Sequence, residues 1–233
     1  MANNTENKHN AQNRQQIDIN ADIGAGFEGE NSAHDEKIVK RVTSVNIACG
    51  FHGGDPAVMQ RSVDFAAKSA VAIGAHVGLP DLMGLVASPR KVSAKKTYTQ
   101  VLYQLGALSA FAKAKGKKLQ HIKLHGTLYD ASVTDKELAQ AISDAVLRFD
   151  EGLILLGPSG SELLAVGEVA GLRTATEALI GSAEELTKDL SSGIDSISVD
   201  ASEPYAVRLL DELHRTLHKE EVTLYPLHML PKD

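Results

Sequence analysis

Asn46, Cys49, His52 and Asp55 fall within eleven residues, N-I-A-C-G-F-H-G-G-D-P from Asn46 to Pro56, and are separated by Gly50, Gly53 and Gly54. An amide, a thiol, an imidazole and a carboxylate so close together can bind a small molecule, move a proton or supply a nucleophile. The glycines make the stretch poor helix and poor strand. Lacking Cβ atoms, they also let backbone N–H groups approach a ligand closely. Cys49, between Ala48 and Gly50, fits a small buried thiol better than a nucleophile. Asp55, directly before Pro56, reads equally as a helix N-cap and as a ligand contact.

Other residues extend the set: Asp18, Asn20 and Asp22, then His76, then Lys123, His125 and Tyr129, and finally Glu177. Asp18, Asn20 and Asp22 alternate, so on a strand they share one side, read here as inward; Lys123 and His125 share a side for the same reason. A carboxylate turned inward needs partners, because burying one alone is costly. His52, His76 and His125 lie far apart in sequence. Brought together, three histidines suit acid–base catalysis or metal ligation. No two of these three are paired with each other as H-x-x-x-H or H-x-H, so spacing leaves that choice open.

The elements that must carry these residues alternate in type. Strand-like pieces fall at 17–22, 45–48, 71–76, 119–125, 152–156, 172–177, 197–200 and 222–227. Between them come helical stretches: 35–43, the segment opened by Asp55-Pro56, Ser93 to Ala114, one with a Thr134/Glu137 capping box, one after 157–162, one with a Ser182/Glu185 capping box, and 203–218. Strand–helix–strand repetition implies a parallel sheet covered by helices. Seven or eight units predict an α/β, TIM-like (β/α) barrel over 17–233, in preference to an open doubly wound sheet. The polar residues then sit at the C-terminal ends of strands, where barrel active sites are built.

Composition narrows the classes. With 43% hydrophobic and 23% charged residues, the 233-residue chain can form a large core, and its net charge of -6 argues against a nucleic-acid binder. A single cysteine excludes an internal disulfide framework, and no apolar run is long enough for a membrane span. A cytoplasmic location is expected. Residues 1–16 carry almost nothing to bury and no signal-peptide core, and read as a disordered tail. No G-x-G-x-x-G or G-x-x-x-x-G-K-[ST] pattern opens a helix.

Five segments, D-I-N-A-D-I-G (18–24), N-I-A-C-G-F-H-G-G-D-P (46–56), A-I-G-A-H-V-G-L-P-D (72–81), V-L-Y-Q-L-G-A-L (101–108) and H-I-K-L-H-G-T-L-Y (121–129), occur in an order and spacing that resemble the LamB/YcsF family, the A component of prokaryotic 5-oxoprolinase. The resemblance implies a barrel related to carbohydrate-deacetylase barrels. It also implies ATP-dependent opening of 5-oxo-L-proline to L-glutamate, with partner subunits B and C. ATP would be a co-substrate held by those partners, and this chain would supply the hydrolytic half. On that reading Asp22 with His52 or His76 serves as base, and Lys123 and His125 neutralise charge. Asp18, Asn20, Asn46, Gly50, Gly53, Gly54, Asp55, Tyr129 and Glu177 would bind substrate. A divalent metal held among Asp22, His52, His76 and His125, as in a deacetylase-like hydrolase, stays open, as does homo-oligomerisation.

The sequence departs from the family pattern in places. Gly24 is followed by Ala25 where the family has glutamate, and K-L-H-G-T and G-A-H-V replace K-P-H-G-A and G-A-H-P. Glu177 runs into A-L-I-G-S in place of a D-R pair and a longer insert, and V-D-A-S (199–202) stands for V-H-G-D. These changes raise a further alternative, a catalytically weakened barrel that binds a ligand or partner.

Overall fold

Alternate residues of the first strand face two different environments, and that alternation builds the molecule. A computed structural model describes residues 15–27, 31–80 and 92–231. In β1 (Gln16–Ile23), Ile17, Ile19, Ala21 and Ile23 are buried against helices, while Asp18, Asn20 and Asp22 point into the barrel. Parallel pairing runs on through β2 (Ser44–Ala48), β3 (Ala72–Val77), β4 (Leu119–Leu124), β5 (Ile154–Pro158), β6 (Arg173–Leu179) and β7 (Ser196–Val199). β1 pairs with both β2 and β7, so these seven strands close. The expected eighth, β8 (Thr223–Leu224), only extends the start of β1, at Gln16 and Ile17. It is shorter than 222–227 because Pro226 has no N–H to donate and the chain turns at Leu227–Met229.

Eight helices surround the barrel among the described residues: α1 (Ser32–Val39), α2 (Pro56–Lys68), α3 (Ala94–Ala114), α4 (Gly126–Ser132), α5 (Lys136–Phe149), α6 (Glu162–Val169), α7 (Ala183–Leu190) and α8 (Ala206–Lys219). The main core lies between strands and helices, where Ile19, Ile47, Ile122, Leu155 and Ile197 join Leu105, Ile142 and Leu213. Each such side chain contributes about 1.5–3 kcal/mol by leaving water. Inside the barrel, β5 and β6 supply an apolar patch, Ile154, Leu156 and Ala175, closed from below by Leu227 and Leu230. Arg173 Nη2 holds that plug by donating to the carbonyls of Leu227 (2.7 Å) and Leu230 (3.1 Å).

Several boundaries move. The first helix spans 32–39, not 35–43. Asp135, not Thr134, caps α5, its Oδ1 accepting from Leu138 N at 3.0 Å. Thr134 still belongs to the turn leaving α4, its N–H directed at Ala131 O. Ser182 does cap α7, while Glu185 turns back to Gly181 N. Most of the expected tail lies outside the described residues, but Gln16 is already in β1.

Candidate active site

The inward side chains of β1, β2, β4 and β7 make a hydrogen-bonded layer sealed from solvent. Asp18 accepts from Thr43 Oγ1 (2.6 Å), Ser44 Oγ (2.9 Å) and Ser196 Oγ. Asn20 donates to Ser196 and accepts from Asn46 Nδ2 (2.6 Å) and Ser198 Oγ (3.1 Å). Asn46 Nδ2 also serves Asp22 Oδ1, so its Oδ1 must accept from His121 Nε2, 2.6 Å away. That tautomer leaves His121 Nδ1 as acceptor for the Gln120 amide. Burial pushes the Asp18 carboxyl up to about 6, against the pull of its three hydroxyls. Burial, aided by Lys123, pushes His121 down to about 3. Gly74 makes the layer possible, since a Cβ there would lie 2.0 Å from His121 Nε2.

One turn of the barrel higher, the pattern changes. Lys123 Nζ donates to Ser198 Oγ and lies 3.3 Å from both Asp22 Oδ1 and Glu177 Oε2. Burial opposes its charge, but the two carboxylates more than offset that and hold the ammonium. Burial likewise opposes ionisation of Asp22, yet His76, Lys123 and the Asn46 amide keep its carboxyl well below the usual range. Because burial holds His76 neutral, the lasting counter-charge is Lys123. Tyr129 is pushed up by burial and by Glu177, and so remains an O–H donor.

Above this pair stand three imidazoles. His76 Nε2 lies 3.0 Å from His125 Nδ1 and 3.5 Å from Asp22 Oδ2. His52 stacks on His125 with ring centroids 3.9 Å apart and meets His76 edge-on at 5.0 Å. Burial, with His125 nearby, pushes His52 down to about 3. Both ring nitrogens of His52 and Nδ1 of His76 are buried without a hydrogen-bond partner. Each histidine offers one ring nitrogen within 4.8 Å of the other two, so the group can hold a metal ion.

The stretch 46–56 exists to place His52. Gly50 adopts φ +82 and donates to Gly53 O, closing a tight turn. Phe51 stacks on Tyr103 of α3 (5.2 Å), which fixes the loop from outside. Gly78 leaves space for the imidazole: a Cβ there would lie 2.5 Å from His52 Nδ1. Gly53 and Gly54 make room for the β1 loop and not for a ligand, because a Cβ on either would strike Ala25 O (2.7 Å) or Gly24 O (2.5 Å). Asp55 caps α2, its Oδ1 accepting from Ala57 N and Val58 N. Cys49 is buried and donates to Ile47 O, and burial pushes its thiol up to about 12, which removes it as a nucleophile.

Asp22, His52, His76 and His125 line a cavity of about 480 Å³, together with Gly24, Ala25, Asn31, His34, Asp35, Asp200 and Ser202. Residues 17–185, which include all of these except Asp200 and Ser202, match the LamB/YcsF family. The chain belongs to the LamB/YcsF family. Members similar to it include a Bacillus subtilis protein named as the A component of 5-oxoprolinase, 49% identical over 162 residues. That match covers 70% of this chain and 63% of the relative, just under two thirds of its length. A Pyrococcus abyssi protein of the same name is 35% identical over 248 residues, covering 91% of this chain and 97% of its own. The crystal structure of the lactam utilization protein from Thermus thermophilus superimposes with TM-score 0.82 at 33% identity, over 91% of this chain and 99% of that one. A peptidoglycan N-acetylglucosamine deacetylase domain from Eubacterium rectale shares the fold alone, at TM-score 0.53 and 13% identity.

Within this LamB/YcsF barrel the anticipated residues divide. Asp22, His52, His76 and His125 converge on the cavity, with Lys123, Glu177 and Tyr129 behind them. Asp18, Asn20 and Asn46 are fully buried in the layer below and do not line it. Residues not anticipated are His121, Ser196 and Ser198 in the sealed layer, and His34 and Asp35 at the mouth. His34 Nε2 lies 2.8 Å from Ala201 O and Asp35 accepts from Gly24 N, so both pin loops around the cavity. His121 was open to the same alternation that groups Lys123 with His125; His34 and Asp35 had no local signal.

Proposed function

We propose that this chain is the component of a 5-oxoprolinase that hydrolyses the cyclic amide of 5-oxo-L-proline. ATP would be a co-substrate bound by partner subunits B and C in the cytoplasm. The observation that carries this reading is the partly open Asp22 carboxylate, facing a small cavity beside neutral imidazoles in a LamB/YcsF barrel. In the reaction a water oxygen bonds to the lactam carbonyl carbon, the C–N bond breaks, and the freed nitrogen takes a proton. A lactam carbonyl is a poor electrophile, which is what coupling to ATP would remedy. Asp22 and His76 would accept the water proton and return one to nitrogen. Lys123, already matched by Asp22 and Glu177, acts by holding Asp22 ionised rather than by reading the substrate carboxylate.

A second reading, a weakened barrel that binds a ligand or partner, is favoured by two observations. Ala25 and Asp200, both departures from the family pattern, line the cavity. The chain is also shorter than its 248-residue alignment with the Pyrococcus protein, so that relative carries residues with no counterpart here. One assay separates the two. The purified chain is mixed with cognate B and C subunits, and glutamate formation from 5-oxoproline with ATP is measured. Substantial turnover supports the hydrolytic role. A low rate that rises with the double substitution Ala25→Glu and Asp200→His supports the weakened barrel. No turnover from a folded mixture, with or without the double substitution, overturns the hydrolase.

A further inference from the structure

The three histidines carry more than a lactam hydrolase reading requires, and their geometry can be argued without it. Buried polar atoms are normally paired, because leaving one unpaired forfeits its hydration with nothing in return. Here three imidazole nitrogens, two on His52 and one on His76, break that rule within one cluster. The rings come from three separate loops or strands, yet their donor atoms lie within 4.8 Å of one another. Gly78 is shaped to admit His52 at that spot, and Phe51 is clamped to hold it there. Chain, loop and glycine thus converge on bringing the three rings together, and leave both nitrogens of His52 and Nδ1 of His76 without a hydrogen-bond partner.

We propose that His52, His76 and His125, with Asp22 alongside, bind one divalent transition-metal cation of the zinc class. Neutral imidazoles suit Zn²⁺ and Co²⁺ and serve Mg²⁺ or Ca²⁺ poorly, since those ions prefer oxygen. Around a tetrahedral zinc the nitrogens sit roughly 3.3 Å apart, given Zn–N bonds of about 2.0–2.1 Å, so modest ring rotations close the site. Charge balance agrees: two carboxylates, Asp22 and Glu177, face one ammonium, Lys123, below the rings. A cation above them is welcomed rather than repelled. Asp22 Oδ2, 3.5 Å from His76 Nε2, is positioned to ligate or to orient that ring. Three histidines would leave a fourth position open to the cavity, where a bound water would be acidified.

The site is tested by metal content, not by turnover, so it stands or falls separately from the 5-oxoproline assignment. The full chain is stripped with a chelator, given Zn²⁺ or Co²⁺, desalted and measured by elemental analysis. Retention of about one ion per chain is expected, and Co²⁺ should give the intense visible bands of a low-coordinate nitrogen site. His52→Gln and His76→Gln should each weaken Zn²⁺ affinity at least about 100-fold. His218→Gln, on the exposed side of α8, should change nothing. Circular dichroism confirms that each variant is folded, and His125→Gln supplies a third probe should one of the others fail to fold. Retention of well under a tenth of an equivalent overturns the proposal, as does equal loss in the His218 control.

Discussion

Two polar layers lie a few ångströms apart in one barrel, and they obey opposite rules. In the lower, around Asp18, Asn20, Asn46 and His121, these side chains are paired with one another and with Ser196 and Ser198, and all are sealed from water. In the upper, His52 has two orphaned nitrogens and Asp22 opens to a cavity. A fully satisfied buried network rigidifies a fold, whereas a partly satisfied one is costly unless something else completes it. The lower layer is therefore a platform, and the upper one, on the metal-site proposal, a receptor. Both draw on β1 and β4, and both depend on a glycine that admits an imidazole: Gly74 for His121, Gly78 for His52.

The largest effect should come from breaking the platform. In Gly74→Ala the new methyl would lie 2.0 Å from a ring walled in on every side. Overpacking of this kind costs about 3 kcal/mol or more. At about 2–4 °C per kcal/mol for a chain of this size, the melting temperature should drop on the order of 10 °C. Calorimetry showing no change would mean that the lower layer is loose and the contrast false.

Acid should also act through the platform. His121 has its pKa depressed from 6.5 to about 3, so the unfolded chain binds a proton there that the folded one refuses. Stability from this residue is full above about 6.5 and is lost as pH falls, by about 2 kcal/mol between pH 7 and 5. Asp18 works in reverse. Its pKa is raised from 3.8 to about 6, so its cost is felt above that value and is relieved on acidification, by about 1 kcal/mol over the same span. Denaturant titrations of the metal-free chain at pH 7 and 5 should therefore show His121→Gln losing about 2 kcal/mol less than the parent. Equal losses would remove His121 from the account.

Much of the receptor was legible in the sequence, and the platform much less so. Alternation in D-I-N-A-D correctly turned Asp18, Asn20 and Asp22 inward, and strand-end position correctly grouped His52, His76 and His125. Alternation, however, says which side a residue faces and not how deep it lies. Asp18 and Asn20 thus share a side with Asp22 but not its access to the cavity. The glycines misled for a related reason: what a missing Cβ makes room for is decided by a distant segment. Gly53 and Gly54 admit the loop at Gly24 and Ala25, and only tertiary structure brings that loop near.

The smallest effect on stability should come from Gly78→Ala, and it sharpens the comparison most. The added methyl would meet His52 Nδ1 at 2.5 Å, but that ring sits at the edge of a cavity and can swing outward. Stability should fall by less than about 1 kcal/mol, because a displaced side chain that finds open space relieves the overlap. Metal retention should nonetheless drop by at least about tenfold, since one donor has left the cluster. A variant that keeps its metal would show His52 to be a packing residue and the orphaned nitrogens incidental. A variant that unfolds like Gly74→Ala would show that the two layers are one network after all.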